Sequence, residues 1–173
     1  MRTNILAFGA TFGFIALLWL YVREFTVFYN TLGMVPLAIG SIIGALALAG
    51  AVLYRFRERF MPLNRHGTEI ALILVLSAFF APLFGSWLNR GLGRQSERSF
   101  EFVSETAYIA SGYGILKGEK LKPTGYFLDV KDGDKRYRFK YKQQAYYPLT
   151  RPGEQILLPV KKGLLGLSVV TLR

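Results

Sequence analysis

Cysteine is absent from the 173 residues, and histidine occurs once, at His66. Without cysteine there are no disulfides, thiolate metal sites or thiol nucleophiles. A lone histidine in an arginine-rich stretch leaves no His/Asp/Glu cluster at metal-ligand spacing. HExxH, G-x-S-x-G and phosphate-loop patterns are also missing. Asp129, Asp132 and Asp134 stand close together, but D-x-x-D-G-D lacks the liganding order and following Glu of a calcium loop, and Asp132-Gly133-Asp134 reads as a turn. These absences predict a protein that is not an enzyme, with no cofactor and no metal.

Charge is scarce as well. Only 19% of residues are charged against 51% hydrophobic, and lysine is missing from the first 98 residues. That balance suits a membrane protein. Three runs carry the apolar residues, at 5–22, 33–54 and 70–88, and each is long enough for a helix to cross a hydrocarbon core of roughly 30 Å. No ionisable side chain other than tyrosine lies within them, which argues against a proton pathway. The first run is longer than a signal-peptide core and has no A-x-A site, so it reads as a retained span.

Each run carries small residues four apart: Gly9 and Gly13, Gly40 and Gly44, and Ser77, Ala81 and Gly85, with Ser41, Ala45 and Ala49 forming a second row beside the GxxxG pair. Small rows let helix backbones approach closely in lipid. They predict packing of the spans through these residues, within the chain or between copies in a homo-oligomer or membrane complex. Pro36 falls in the first turn of the second helix, where its missing N–H costs little. Pro82 lies mid-span, where a kink is expected. Thr68 is read as a cap for the third helix, with Glu69 in its first turn. Residues 23–31 read as an aromatic connector at head-group level, and 90–98, within NRGLGRQSER, as a flexible basic linker.

Beyond the linker, from 99 to 173, the periodicity becomes two. In RYRFKYK, Tyr137, Phe139 and Tyr141 point one way, and Arg136, Arg138, Lys140 and Lys142 the other. A turn at Gly133-Asp134 sets Val130 opposite Tyr137, Leu128 opposite Phe139, Tyr126 opposite Tyr141 and Asp129 opposite Arg138. Further strands are expected at 100–103, 108–116, 156–160 and 167–172, with turns at Pro152-Gly153 and at Lys161-Lys162-Gly163, and with Pro159 at an edge or bulge. The fold class is therefore an α+β membrane protein. A three-helix transmembrane bundle (1–89) precedes a small all-β domain of five or six short strands, a barrel or compact sheet.

The net charge of +11 favours anionic partners. The sharpest candidate is the basic face of Arg136, Arg138, Lys140 and Lys142. It suits anionic lipid head groups or an acidic partner. Single-stranded nucleic acid is disfavoured, because bases stack on exposed rings and the rings of this strand alternate to the other side. Loop charge gives an orientation. Arg2, Arg55, Arg57, Arg59 and Arg65 lie on one side, and Arg23, Arg90, Arg94 and Arg98 on the other. The positive-inside rule then puts the N-terminus in the cytoplasm and the β domain outside, in a bacterial inner membrane.

This layout of several spans with a small terminal β-barrel resembles that of membrane proteins of the NfeD type; no function is carried over from it. The functional expectation is an integral membrane adaptor, scaffold or assembly factor. The alternatives are a subunit of an oligomeric channel or transporter, or an immunity-type membrane protein.

Overall fold

A computed structural model describes residues 2–91, 93–109, 123–142 and 144–172. Three long helices come first: α1 (Arg2–Tyr29), α2 (Met34–Arg55) and α3 (Leu63–Gly91), with a short 3-10 turn at Arg57–Arg59. All three are long and apolar enough to cross a membrane, over Ala7–Tyr29, Met34–Arg55 and Arg65–Gly91. Their apolar side chains stand largely exposed, among them Phe8, Phe12, Ile15, Ile39, Ile43, Leu72 and Val75. Such a surface suits lipid better than water.

The helices overrun the charge-free runs at several ends. Residues 23–29 continue α1 and are not a loop, because a charged side chain does not interrupt a backbone ladder. Thr68 is no cap: α3 begins five residues before it, and Glu69 instead faces His66 one turn back, at 2.8 Å. Pro36 sits in the first turn of α2, and α3 runs through Pro82.

The chain divides into two compact units. One comprises Met1–Phe25 and Gly33–Gly91; the other comprises Thr26–Leu32 and Leu92–Arg173. The second holds β1 (Arg94–Tyr108), β2 (Gly125–Asp132), β3 (Lys135–Lys142), β4 (Gln155–Lys162) and β5 (Ser168–Val170), all antiparallel, in the order β3-β2-β1-β4-β5. They form a nearly closed, barrel-like sheet. The β2–β3 register is the one the alternation predicts, including Val130 with Tyr137, Leu128 with Phe139 and Asp129 with Arg138. Gly153 takes φ 94°, as a turn at Pro152-Gly153 requires.

Two expectations are corrected. Residues 94–98 are not a linker. They are the first part of β1, whose polar residues pair with β4 from Arg94–Lys162 onward. Lys161 and Lys162 are the end of β4 and not a turn; the reversal falls at Leu164–Gly166. The strand expected at 108–116 lies outside the described residues apart from its first two.

The barrel core contains Phe100, Phe102, Leu128, Val130, Phe139, Tyr141, Ile156, Leu158, Val160 and Val170, together with Leu32. Leu32 enters because the connector between α1 and α2 fills the gap between the sheet's two edges. On the β5 side, Thr31 bridges Val169, Leu32 N–H donates to Ser168 O at 2.8 Å, and Val170 N–H donates to Asn30 O at 2.8 Å. On the β3 side, the Asn30 carboxamide meets both backbone groups of Lys140. Its Nδ2 donates to the carbonyl at 2.8 Å, and its Oδ1 accepts from the N–H at 2.7 Å. A side-chain amide offers one donor and one acceptor edge, like a peptide group, so one asparagine replaces a strand residue.

The level changes around this closure. Asn30 meets Val170, level with Val160 and Ser96, but it also meets Lys140, level with Phe127 and Thr106. The offset along β1 is ten residues (106 − 96), the kind of stagger that closing a sheet into a barrel demands. A bulge between Phe102 and Ser104 bends β1 between its two partners.

Replacing Asn30 by alanine strands both Lys140 groups. The expected cost is about 1–3 kcal/mol, that of leaving buried backbone polar groups unsatisfied. Thermal unfolding in detergent and hydrogen exchange at the Lys140 amide will read it, with exchange there accelerated more than at core amides of β2.

Candidate basic face of the barrel

β3 alternates because its two faces meet different media. Phe139 and Tyr141 are buried and Tyr137 is partly buried, whereas Arg136, Arg138 and Lys142 are exposed and Lys140 half-buried. The register sets three rows across the outer surface of β1, β2 and β3: Thr106, Phe127 and Lys140; Ser104, Asp129 and Arg138; Glu101, Lys131 and Arg136.

The four basic residues are not equivalent. Arg138 forms a fork on Asp129, with Nε to Oδ1 at 2.7 Å and a terminal nitrogen to Oδ2 at 2.9 Å, and Ser104 Oγ donates to the same carboxylate at 3.2 Å. The Arg138 hydrogen bonds hold the Asp129 carboxyl below the usual carboxylate range despite its partial burial, and the carboxylate in turn raises Arg138. Lys140 Nζ lies 4.6 Å from the Tyr108 ring centre and 5.9 Å from that of Phe127, and the two rings are 4.7 Å apart. Arg136 and Lys142 have no ion-pair partner among the described residues, and Lys131 lies beside Arg136.

The rings on β3 itself do alternate inward. Aromatic groups nevertheless reach the basic face from the neighbouring strands, as Phe127 and Tyr108. The hairpin register already implied the first, since pairing Leu128 with Phe139 pairs Phe127 with Lys140. Tyr108 requires the β1–β2 register, which no local pattern announced. The aspartates that suggested a cation site are engaged elsewhere: Asp129 by Arg138, and Asp132 by Arg98 at 2.5 Å. No group of three potential metal-binding side chains occurs among the described residues.

A carboxylate organises the far end of the barrel. Glu105 accepts from the Tyr141 hydroxyl and from the backbone N–H groups of Tyr146, at 2.9 Å, and Tyr147, at 3.2 Å. Burial, with the Glu105 charge adding to it, pushes the Tyr147 hydroxyl above its ordinary pKa.

Among the helices the small rows divide. Gly85 lies against Ser41, leaving no room for a Cβ, and Ala81 and Ala49 are buried. The packed row of α2 is thus Ser41, Ala45 and Ala49. Gly40 and Gly44 lie on the adjacent face. At these two, and at Gly9 and Gly13, an added Cβ would meet nothing within 4 Å. Neighbouring helix positions are about 100° apart, so only one of the two rows can face α3. The expectation of packing through all these glycines therefore fails within the chain.

α1 meets α3 through Phe14 and Tyr21 against Phe79 and Phe80, and through a polar group missed by reading the spans alone. Glu24 is buried and accepts from Ser86 Oγ at 2.5 Å and from Arg90 at 2.5 and 2.7 Å. Arg90 is therefore a paired charge and not a free loop cation. Breaking a buried pair of this kind strands the remaining charge.

Comparison with protein families, with curated proteins and with solved structures returned no match.

The Asp129–Arg138 fork has a pH signature. The folded carboxyl titrates below its unfolded value of about 4, so its stabilisation is present above that value and lost as pH falls through the lowered one. Thermal unfolding of the wild type and Asp129→Asn across this acid range will show a gap in favour of the wild type at neutral pH that closes as the pH falls. The gap is small, because Arg138 is exposed.

Proposed function

We propose that the chain is a non-enzymatic integral membrane adaptor, scaffold or assembly factor whose barrel offers the outer face of β3 to an anionic partner. The observation that carries this reading is that Arg136 and Lys142 have no ion-pair partner among the described residues, on a strand whose other two cations are engaged by Asp129 and by the Tyr108–Phe127 pair. Arg138 and Lys140 shape the face, and Arg136 and Lys142 supply its attraction. An acidic protein patch, an envelope polymer or anionic head groups satisfy that chemistry. Nucleic acid stays the disfavoured partner for a different reason: the two rings on this face, Tyr108 and Phe127, are half-buried and lie beneath Lys140 Nζ, which leaves no open ring for a base to stack on.

The α1–α2 connector and the strands belong to one compact unit, so a three-span arrangement puts both on one side of the bilayer, opposite the N-terminus. The pairing of charges supports the orientation better than a bare count does. On the barrel side, Glu24 pairs with Arg90 and Asp132 with Arg98. On the other, Arg55, Arg57 and Arg59 lie against Tyr54 and Phe56 without a carboxylate partner among the described residues. The proposal is a bacterial inner membrane with the N-terminus cytoplasmic and the barrel outside.

The test is the binding of polyglutamate, and separately of a sulfated polysaccharide, to nanodisc-embedded protein. Arg136→Glu with Lys142→Glu is expected to weaken binding by about tenfold or more, at roughly 1 kcal/mol per reversed charge, with unfolding unchanged. Wild-type affinity in the double variant contradicts the reading.

A further inference from the structure

The hairpin between β4 and β5 ends in Gly163-Leu164-Leu165-Gly166-Leu167. Gly163 N–H donates to Leu167 O at 2.8 Å and Gly166 N–H to Gly163 O at 3.0 Å, so the tip is a closed turn. Leu164 and Leu165 at its apex are 54% and 48% exposed. Turn tips in water favour Gly, Asn, Asp and Ser; two leucines there need another explanation. Lys161 and Lys162 precede them, separated from Leu164 by Gly163.

Two strand pairings fix which way this tip points. Arg94 is level with Lys162 in an antiparallel pair. Continuing β4 past Lys162 therefore follows the direction obtained by reading β1 backwards from Arg94, toward Gly93. Gly93 already lies close against Lys161 and Lys162. The seam repeats the argument. Thr31 is antiparallel to Val169, so reading back from Ser168 into the tip follows the chain forward from Thr31 through Leu32 and out of this unit. The two segments through which the chain leaves this unit, at Leu32 and at Gly93, thus run out at the end of the barrel that bears the leucines.

We propose that this tip is a lipid-binding element: Leu164 and Leu165 enter the head-group and acyl boundary, and Lys161 and Lys162 meet anionic head groups. Apolar apex and basic base match the interface in that order. The inference rests on the reading of the helices as spans and is independent of any partner on β3.

The chain has no cysteine, so single labels can be placed at chosen sites. Leu165→Cys and, independently, Leu164→Cys would carry an environment-sensitive fluorophore in protein reconstituted into phosphatidylglycerol-containing vesicles. Leu149→Cys, 94% exposed in the loop joining β3 to β4 at the opposite end of β4, is the aqueous control. The expected result is blue-shifted emission at both tip sites, strongly quenched by spin-labelled lipid, with neither effect at position 149. Tip labels as water-exposed as the control overturn the proposal. So do labels shielded from water but unquenched by lipid, which assign the tip to a second copy. Failure of the protein to resist carbonate extraction would overturn the spans themselves, a result separable from both.

Discussion

A sheet that does not close has two edges of unpaired backbone, and everything distinctive in this barrel follows from how those edges are satisfied. β3 and β5 end the strand order, and in this small unit neither pairs directly with the other. Asn30, Thr31 and Leu32 stand between them, with main-chain bonds to β5 and a side-chain amide on Lys140. Exposed edges invite pairing with other chains. Here the edge is occupied by the chain itself, from a segment 110 residues away in sequence.

That closure gives the two-part sequence a physical unity. The strands from Arg94 onward lack a complete barrel until the connector is supplied, and the connector is fixed by where α1 ends and α2 begins. The basic face depends on the same seam. Asn30 grips the backbone of Lys140, whose side chain lies over Tyr108 and Phe127 on the outer surface. Arg136 and Lys142, which have no ion-pair partner among the described residues, lie to either side of this pinned position on the same strand.

Much of this was legible in the sequence where the signal is local. Charge-free runs announced three long apolar helices, and the alternation of RYRFKYK with an Asp-Gly-Asp turn gave the β2–β3 register residue for residue. Signals that depend on distant partners were not legible. The end of α1 was misjudged because the charges at 23 and 24 look like a boundary until Arg90, 66 residues beyond Glu24, is seen to hold that carboxylate. The start of β1 was read as a linker because its polar residues carry no apolar alternation, while the pairing with β4 is made by backbone. The glycine rows were visible as spacing, but spacing does not say which row faces a neighbour: Gly85 meets Ser41, not Gly40 or Gly44. Asn30 had no signal at all, because a three-residue segment has no periodicity to read.

The closure itself can be tested by a covalent bond. Thr31 and Val169 are opposed as a non-hydrogen-bonded antiparallel pair, flanked by the Leu32–Ser168 and Val170–Asn30 bonds. That is the pair type with closely spaced Cα atoms, within the range a disulfide spans. With no native cysteine to compete, Thr31→Cys combined with Val169→Cys in intact membranes is predicted to form an intramolecular disulfide under mild oxidation, seen as a gel-mobility shift reversed by reductant. A doubly substituted chain that folds and inserts but does not cross-link would show that the connector is not part of the barrel.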